Sequence, residues 1–269
     1  ALRHDVPDAA LQDEAERLNP VRNMYRRIAL PAANALVVPS QVLEKVALKH
    51  WHQPPDRVHR IANGVATMRY ADKPDAKLIP QLQNRREGEV FIGCVAGLRP
   101  VKDLPLLVRA VAGVNARFKL VILGEGPERQ NILDAAEAMA IEDQVILPGF
   151  LPEPHRYMGL FDIFAMSSKS EQAPISVIEA MAAGLPVVST RVGDIPVMVS
   201  PENVPFLAPR HHEVDLRDRI DTLARNPESM HYIGEQNRAR ARALFDEAAM
   251  IASYARLYGA AMGRPDALQ

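Results

Sequence analysis

From Val90 onward the chain alternates short, mainly apolar runs with segments of helical periodicity, and few folds accept that pattern. The apolar runs fall at 90–95, 119–123, 144–147, 162–166 and 186–189, with a sixth candidate at 203–207. Helical patterns over 103–115, 127–140, 154–160 and 174–183 separate the first five. The runs show no regular polar alternation, so both faces of each strand are expected to be covered. That is the arrangement of a parallel sheet with helices on either side. The expected class is therefore α/β, a Rossmann-like doubly wound parallel sheet. Helical segments at about 212–225, 227–244 and 247–261 finish the chain.

The first 65 residues have a different texture. Residues 1–30 are polar and charged, with a helix candidate from Asp13 to Leu30. Ala35 to Val38 reads as a short buried strand ended by Pro39. Ser40 is then a suitable N-cap for a helix over Gln41 to Lys49, with Glu44 near its positive end. Val58 to Ile61 is a second short strand, and Asn63-Gly64 turns the chain. Two short strands and two or three helices cannot bury a core comparable to the later one. The expectation is a complete domain over 66–245, preceded by a remnant (1–65) of another. The chain thus reads as a fragment or as a protein that has lost a domain.

Charge narrows the partners. Lys plus Arg number 32 and Asp plus Glu 33, with no basic stripe, so nucleic acid is not the expected partner. The single Cys94 sits in an apolar run and reads as a core thiol. One cysteine permits no disulfide framework, which points to a reducing, cytoplasmic compartment. No apolar run reaches the roughly 18 residues that span a bilayer. Any membrane contact would be peripheral, at the inner face. His50-Trp51-His52 lacks a neighbouring carboxylate or thiolate ligand, and His211-His212, at the start of a charged helix, reads as a surface loop, so no metal site is expected. Met158, Met166, Met181 and Met198 read as core fillers.

Four loops follow strands and carry the chemistry. Gly97-Leu-Arg99-Pro-Val-Lys102-Asp103 places two cations at a strand's end just before a helix. The fork of Arg99 and the point charge of Lys102 suit a diphosphate. A solvated loop, with Asp103 capping the next helix, is the plain alternative. Gly124-Glu-Gly126-Pro-Glu-Arg129 lets backbone approach closely, either to a ligand or in a tight strand-to-helix turn. It is no dinucleotide fingerprint, because Arg129 occupies the third glycine position. Pro148-Gly149-Phe150-Leu151 is a third loop of this kind.

The fourth loop runs Ser170-Glu171-Gln-Ala-Pro174-Ile175-Ser176-Val177-Ile-Glu179-Ala-Met-Ala-Ala-Gly184-Leu-Pro-Val-Val. Pro174 fits the first turn of a helix closed by Gly184. The amides of Ile175, Ser176 and Val177 would then form an anion site at the dipole's positive end. Glu171, ahead of the helix, can accept from sugar hydroxyls. Glu179 lies two turns inside, either on the surface or partly buried. If buried, it needs donors such as ribose hydroxyls. Phosphate, sugar and ribose contacts together describe a nucleotide sugar.

These four segments, in this order, resemble the retaining glycosyltransferases of the GT-B fold, family 4 (group 1) type, over about residues 35–262. The resemblance implies two Rossmann-like domains facing a cleft, here the C-terminal donor domain plus an incomplete N-terminal one. It implies that Lys102, with Arg99 beside it, binds the diphosphate, Glu171 the donor sugar and Glu179 the ribose. Backbone at Ile175 and Ser176 would contact phosphate, with Gly124, Gly126, Gly149 and Phe150 shaping the donor pocket. Residues 61–65 resemble the end of the N-terminal domain, and 246–269 the final helix that crosses back to it. Lys102 and Glu171 are the implied catalytic residues. No metal or other cofactor is implied. The donor would be a UDP-, GDP- or ADP-sugar, and the acceptor a saccharide, lipid-linked saccharide or small molecule. A non-catalytic subunit completed by a partner chain, and a sugar-nucleotide epimerase, are the alternatives. Two departures stand out. Gly97 occupies the position five before Lys102 where the family usually has Arg, and Gln172 and Pro174 replace glycines common after the first Glu.

Overall fold

The structure, a computed structural model, describes residues 20–263. Residues 13–19 of the first helix candidate, and the outer ends of the segments 1–65 and 246–269, lie outside the described residues. Six strands form the larger sheet: β3 (Val90–Val95), β4 (Phe118–Leu123), β5 (Val145–Gly149), β6 (Ile163–Met166), β7 (Val187–Thr190) and β8 (Leu207–Ala208). All neighbours run parallel in the order β5-β4-β3-β6-β7-β8. Side chains alternate between two apolar layers, as the pleat requires. Ile92, Cys94, Leu120, Ile122, Ile163 and Ala165 face one layer. It is completed by α3 (Leu104–Ala112), α4 (Arg129–Ala138) and α7 (Glu213–Ala224). Phe91, Val121, Leu123, Phe164 and Met166 face the other, against α5 (Ile175–Ala182). A four-residue helix, α6 (Ile195–Met198), adds Ile195 and Met198 to that second layer. Both faces are therefore apolar, which is why the strands read as unbroken runs. The four methionines expected in the core are buried.

Strand β3 lies between β4 and β6, so the chain winds outward on one side and returns on the other. The loops after β3 and β6 diverge there, opening a crevice at the strands' carboxyl ends.

The smaller sheet pairs β1 (Leu36–Val38) with β2 (Val58–Arg60) in parallel. It packs with α2 (Gln41–Lys49), and α1 (Pro20–Ala29) precedes it. Ser40 caps α2 as expected, its Oγ accepting the Leu43 amide at 3.0 Å. Among the described residues, the apolar core of this part is Val38, Val42, Val46, Ala47 and Trp51 with a few partly buried neighbours. Val65 bridges to Asp246, where α8 (Pro227–Leu244) hands over to α9 (Glu247–Ala261). Ser253, Arg256 and Leu257 of α9 then line an open groove with Glu44 and residues 58–61.

Several local expectations are corrected. Residues 154–160 form two 3-10 turns, Pro154–Arg156 and Met158–Leu160, rather than a helix. Glu153 sits in the left-handed region and the run is too short to close α-helical bonds. The strand expected at 203–207 is mostly a 3-10 segment, Pro201–Phe206. Pro205 has no N–H to give a ladder, so only Leu207–Ala208 joins the sheet. Asp103 precedes α3 without capping it. The N2 residue is Pro105, which has no donor, and the Leu106 amide is taken by the Asp103 carbonyl at 3.0 Å. Its carboxylate instead lies 3.5 Å from Lys169 Nζ. Pro174 is the N-cap of α5 rather than its first residue, because its carbonyl already accepts the Val177 amide at 3.2 Å.

Helix α5 closes as expected on Gly184 (φ 77°), with the Leu185 amide reaching back to Ala180 at 3.0 Å. Gly234 of α8 abuts this end so closely that an added Cβ would press into the Gly184 carbonyl oxygen. Both groups are backbone and neither can swing aside. Gly234→Ala is expected to destabilise the protein by about 1–3 kcal/mol, read as a lowered midpoint in urea or thermal unfolding.

Candidate active site

The crevice between β3 and β6 is lined by the loops Ala96–Asp103 and Ser167–Pro174, and the two are stitched together. Ser167 Oγ donates to the carbonyls of Lys102 and Asp103 at 2.9 and 2.8 Å. The Lys169 amide donates to Val101 O at 2.8 Å. A 3-10 turn over Pro100–Lys102 presents Lys102, whose Nζ pairs with Glu171 Oε1. The side chains are 21% and 10% exposed, so both charges are largely withdrawn from water. Ser168 Oγ donates to the same Glu171 oxygen at 2.7 Å. The sequence placed these residues in two separate motifs, and the structure brings them into contact. Arg99 stands at the exposed lip of the loop, its Nε only 3.6 Å from where a Cβ on Gly97 would lie.

Residues 171–174 are fixed from two further directions. The Asp194 amide donates to Gln172 O at 2.7 Å, and Asn63 Nδ2 to Ala173 O at 3.0 Å. Gly193 (φ 55°) lies under the loop, where a Cβ would come within 2.6 Å of Gln172 O and closer still to Glu171 O. Beyond the loop, the Ile175 and Ser176 amides donate to no carbonyl among the described residues. Ile175 is 50% exposed. The expected third amide, of Val177, is occupied by Pro174 O, so two amides rather than three are left without a carbonyl partner among the described residues.

Glu179 is half-buried, with the Tyr70 hydroxyl beside it. Burial pushes its pKa upward, and the Tyr70 hydroxyl offsets part of that rise. Tyr157 is also near, its hydroxyl donating to Leu151 O at 3.2 Å. Both phenols are pushed upward, first by burial and then by the Glu179 charge. Tyr70 belongs to a 3-10 segment, Thr67–Ala71, that no spacing connects to α5. Sequence reasoning missed it, along with Tyr157, Ser168, Asn63 and Asp194.

The remaining predicted residues lie along the same edge. Gly124 (φ 140°) and Gly126 (φ 155°) let their turn press against the β3 loop, where a Cβ on either would enter the carbonyl of Ala96 or Leu98. Bonds Leu98 N to Glu125 O (2.9 Å) and Glu128 N to Leu98 O (3.1 Å) seal that contact. These glycines act here through loop packing. Gly149 (φ 89°) accepts the Gly124 amide at 3.0 Å and lies beneath the Glu125 carboxylate. Phe150 is 71% exposed beside it. The Cys94 thiol is buried and pushed up to about 12, mainly by burial, which leaves it an inert core group. Among the described residues no group of three or more His, Cys, Asp or Glu could hold a metal ion. No described helix is long and apolar enough to cross a membrane.

A family model described as Glycosyl transferases group 1 matches residues 75–240. N-acetyl-alpha-D-glucosaminyl L-malate synthase of Bacillus anthracis is 26% identical over 174 residues, covering 64% of this chain and 46% of that protein. D-inositol 3-phosphate glycosyltransferase of Corynebacterium glutamicum (strain R) is 27% identical over 97% of this chain and 65% of its own length. The chain thus spans about half to two thirds of the length of these relatives. In structure it is similar to Anabaena Alr3699/HepE in complex with UDP. The TM-score is 0.81 and the identity 20%, over 91% of this chain and 69% of that one. Sucrose-phosphate synthase from Thermosynechococcus elongatus gives 0.80 at 24% identity, over 93% and 64%. These likenesses establish the α/β, GT-B-type fold.

The raised pKa of Glu179 has a stability consequence. The folded chain holds this proton more tightly than the unfolded chain, so the group favours folding at low pH. That contribution is lost as pH rises through the folded value, and at neutral pH the ionised group carries its desolvation cost. Glu179→Gln keeps an acceptor for Tyr70 and removes the charge. The variant is expected to melt a few degrees above wild type at about pH 8, with the gap closing toward about pH 4. Thermal denaturation across that range measures it, and a variant that melts below wild type throughout contradicts it.

Proposed function

The chain belongs to the group 1 glycosyl transferases, and on that premise we propose that it binds a nucleoside diphosphate sugar in the crevice between β3 and β6. In an intact enzyme it passes the glycosyl group to an acceptor with retained configuration, as in family 4. The observation that carries the reading is the Lys102–Glu171 pair, two opposite charges joined at the point where the sheet reverses direction.

A donor diphosphate competes with Glu171 for Lys102, because it carries more negative charge than one carboxylate. Once displaced, Glu171 has free acceptor oxygens for sugar hydroxyls, with Ser168 still orienting one of them. As the glycosyl bond breaks, the electron pair leaves with the nucleoside diphosphate. The negative charge that accumulates there meets Lys102, Arg99 and the two free amides at Ile175 and Ser176. Such preset donors stabilise a transition state without reorganisation, and they need no metal ion or other cofactor. Glu179 takes the ribose, Gly149 and Phe150 the base side, and Gly124 and Gly126 hold the β3 loop in shape. Residues 66–245 act as the donor domain. Residues 1–65 belong to the acceptor-side domain, to which the segment 246–269 returns. The acceptor is a saccharide, a lipid-linked saccharide or a small molecule, met in the cytoplasm or at the inner membrane face. The donor-side contacts lie within residues 66–245, so nucleotide binding is the property this chain is tested for first.

UDP is the first nucleotide to test, since the similar Anabaena structure holds it, with GDP and ADP beside it. One of the three should raise the melting temperature. Each of Lys102→Ala and Glu179→Ala should weaken its binding on the order of tenfold or more, the loss typical of a hydrogen bond to a charged group. Titration calorimetry gives the comparison. Affinity unchanged in both variants refutes the site.

A further inference from the structure

Asp194 is buried, 5% exposed, and joins two parts of the chain that are far apart in sequence. Its Oδ2 accepts the Gln41 amide at 2.6 Å and its Oδ1 the Val42 amide at 3.1 Å. With Ser40 Oγ on the Leu43 amide, the first three donors of α2 are satisfied, two of them by a residue from after β7. A carboxylate at a helix N-terminus gains both hydrogen bonds and the dipole's field. The same residue's own amide holds Gln172 O at 2.7 Å, and its neighbour Gly193 supports the Glu171 carbonyl. Arg60, at the end of β2, and Lys45, on α2, are the cations that favour its charged form against the cost of burial.

We propose that Asp194 is a positioning residue that clamps the Glu171–Pro174 loop to helix α2, so that the geometry of the donor loop depends on the N-terminal segment. One residue reads both sides, with its backbone on the loop and its carboxylate on α2. Displacing α2 therefore pulls directly on the hydrogen bond that sets Gln172. The ligand part of this inference rests on the nucleotide reading above, while the clamp itself does not.

Two variants of the full 269-residue chain test it from opposite ends. Asp194→Asn keeps the shape but loses the charge and one acceptor. Gln41→Pro deletes only the N–H that Oδ2 accepts. Proline is well suited to the first helical position, and Ser40 before it is already extended (φ −138°, ψ 155°). Hydrogen exchange is followed at the amides of Val42 and Asp194, the second reporting the bond to Gln172. Exchange at Asp194 is expected to rise on the order of tenfold in Gln41→Pro, although that substitution lies in the other sheet's segment, and at Val42 in Asp194→Asn. The double variant should add nothing to the exchange of the Asp194 amide beyond the larger single effect. UDP, GDP and ADP titrations should show weaker binding by several-fold in both variants for whichever nucleotide binds wild type.

If Gln41→Pro leaves the Asp194 amide as slow as in wild type, Asp194 is a local helix cap and the clamp is wrong. If no nucleotide binds wild type, the donor reading fails and the exchange measurement still decides the clamp.

Discussion

The ion pair between Lys102 and Glu171 fixes the centre of this molecule. The two side chains arrive on loops that diverge because β3 and β6 are adjacent strands with opposite winding. Each is largely withdrawn from water, and leaving either alone would strand a charge at low dielectric. Their attraction therefore closes a crevice that the sheet topology opens. Ser167 and Ser168 refine the closure by bonding to both loops rather than to solvent. The resting pair also sets the terms of binding. In the proposed reading a dianionic group must outcompete one carboxylate for one ammonium. It can do so because two helix amides and Arg99 add to its side of the balance.

Three carboxylates stand around one loop and helix, and each meets its burial differently. Glu171 has a cation, Glu179 has the Tyr70 hydroxyl, and Asp194 has the amides of α2. Of the three, Glu179 alone faces a neutral hydroxyl rather than an ammonium or a helix terminus. Buried acids with incomplete compensation are poor choices for stability and good ones for recognising a polyhydroxylated ligand. That contrast favours a binding role for Glu179 over a packing one.

The sheet was legible because its strands are buried on both faces. Runs such as 90–95 and 119–123 need no tertiary information to be recognised, and β3 and β4 fall there within a residue. At two of the places where the reading slipped, proline chemistry decided the outcome. Pro205 shortened the last strand, and Pro105 removed the donor that Asp103 would have capped. At the site, Lys102, Glu171 and Glu179 were visible as motif positions, and the pairing of the first two was not. Ion pairing across two loops depends on which strands are neighbours, and strand order has no local signature. Tyr70 and Asp194 were invisible for the same reason. Each is an ordinary residue in its own segment and gains meaning only from α5 or α2 lying against it.

The small sheet supplies the last step. Among the described residues, five buried apolar side chains form the heart of its core, a small number for two strands and a helix. Its order must come in part from contacts with the larger sheet's loops: Asp194 on α2, Asn63 on Ala173, and the Val65 bridge to Asp246. Two of those three end on residues 171–174 or on the residue that holds them. The stability of the small sheet and the rigidity of the donor loop are thus two views of one set of bonds. Coupling of this kind is reciprocal by thermodynamic necessity. Whatever orders the loop strengthens the docking of α2, and whatever completes the small sheet sharpens the loop. In the proposed reading, a change in how α2 docks would act on donor binding without touching the donor.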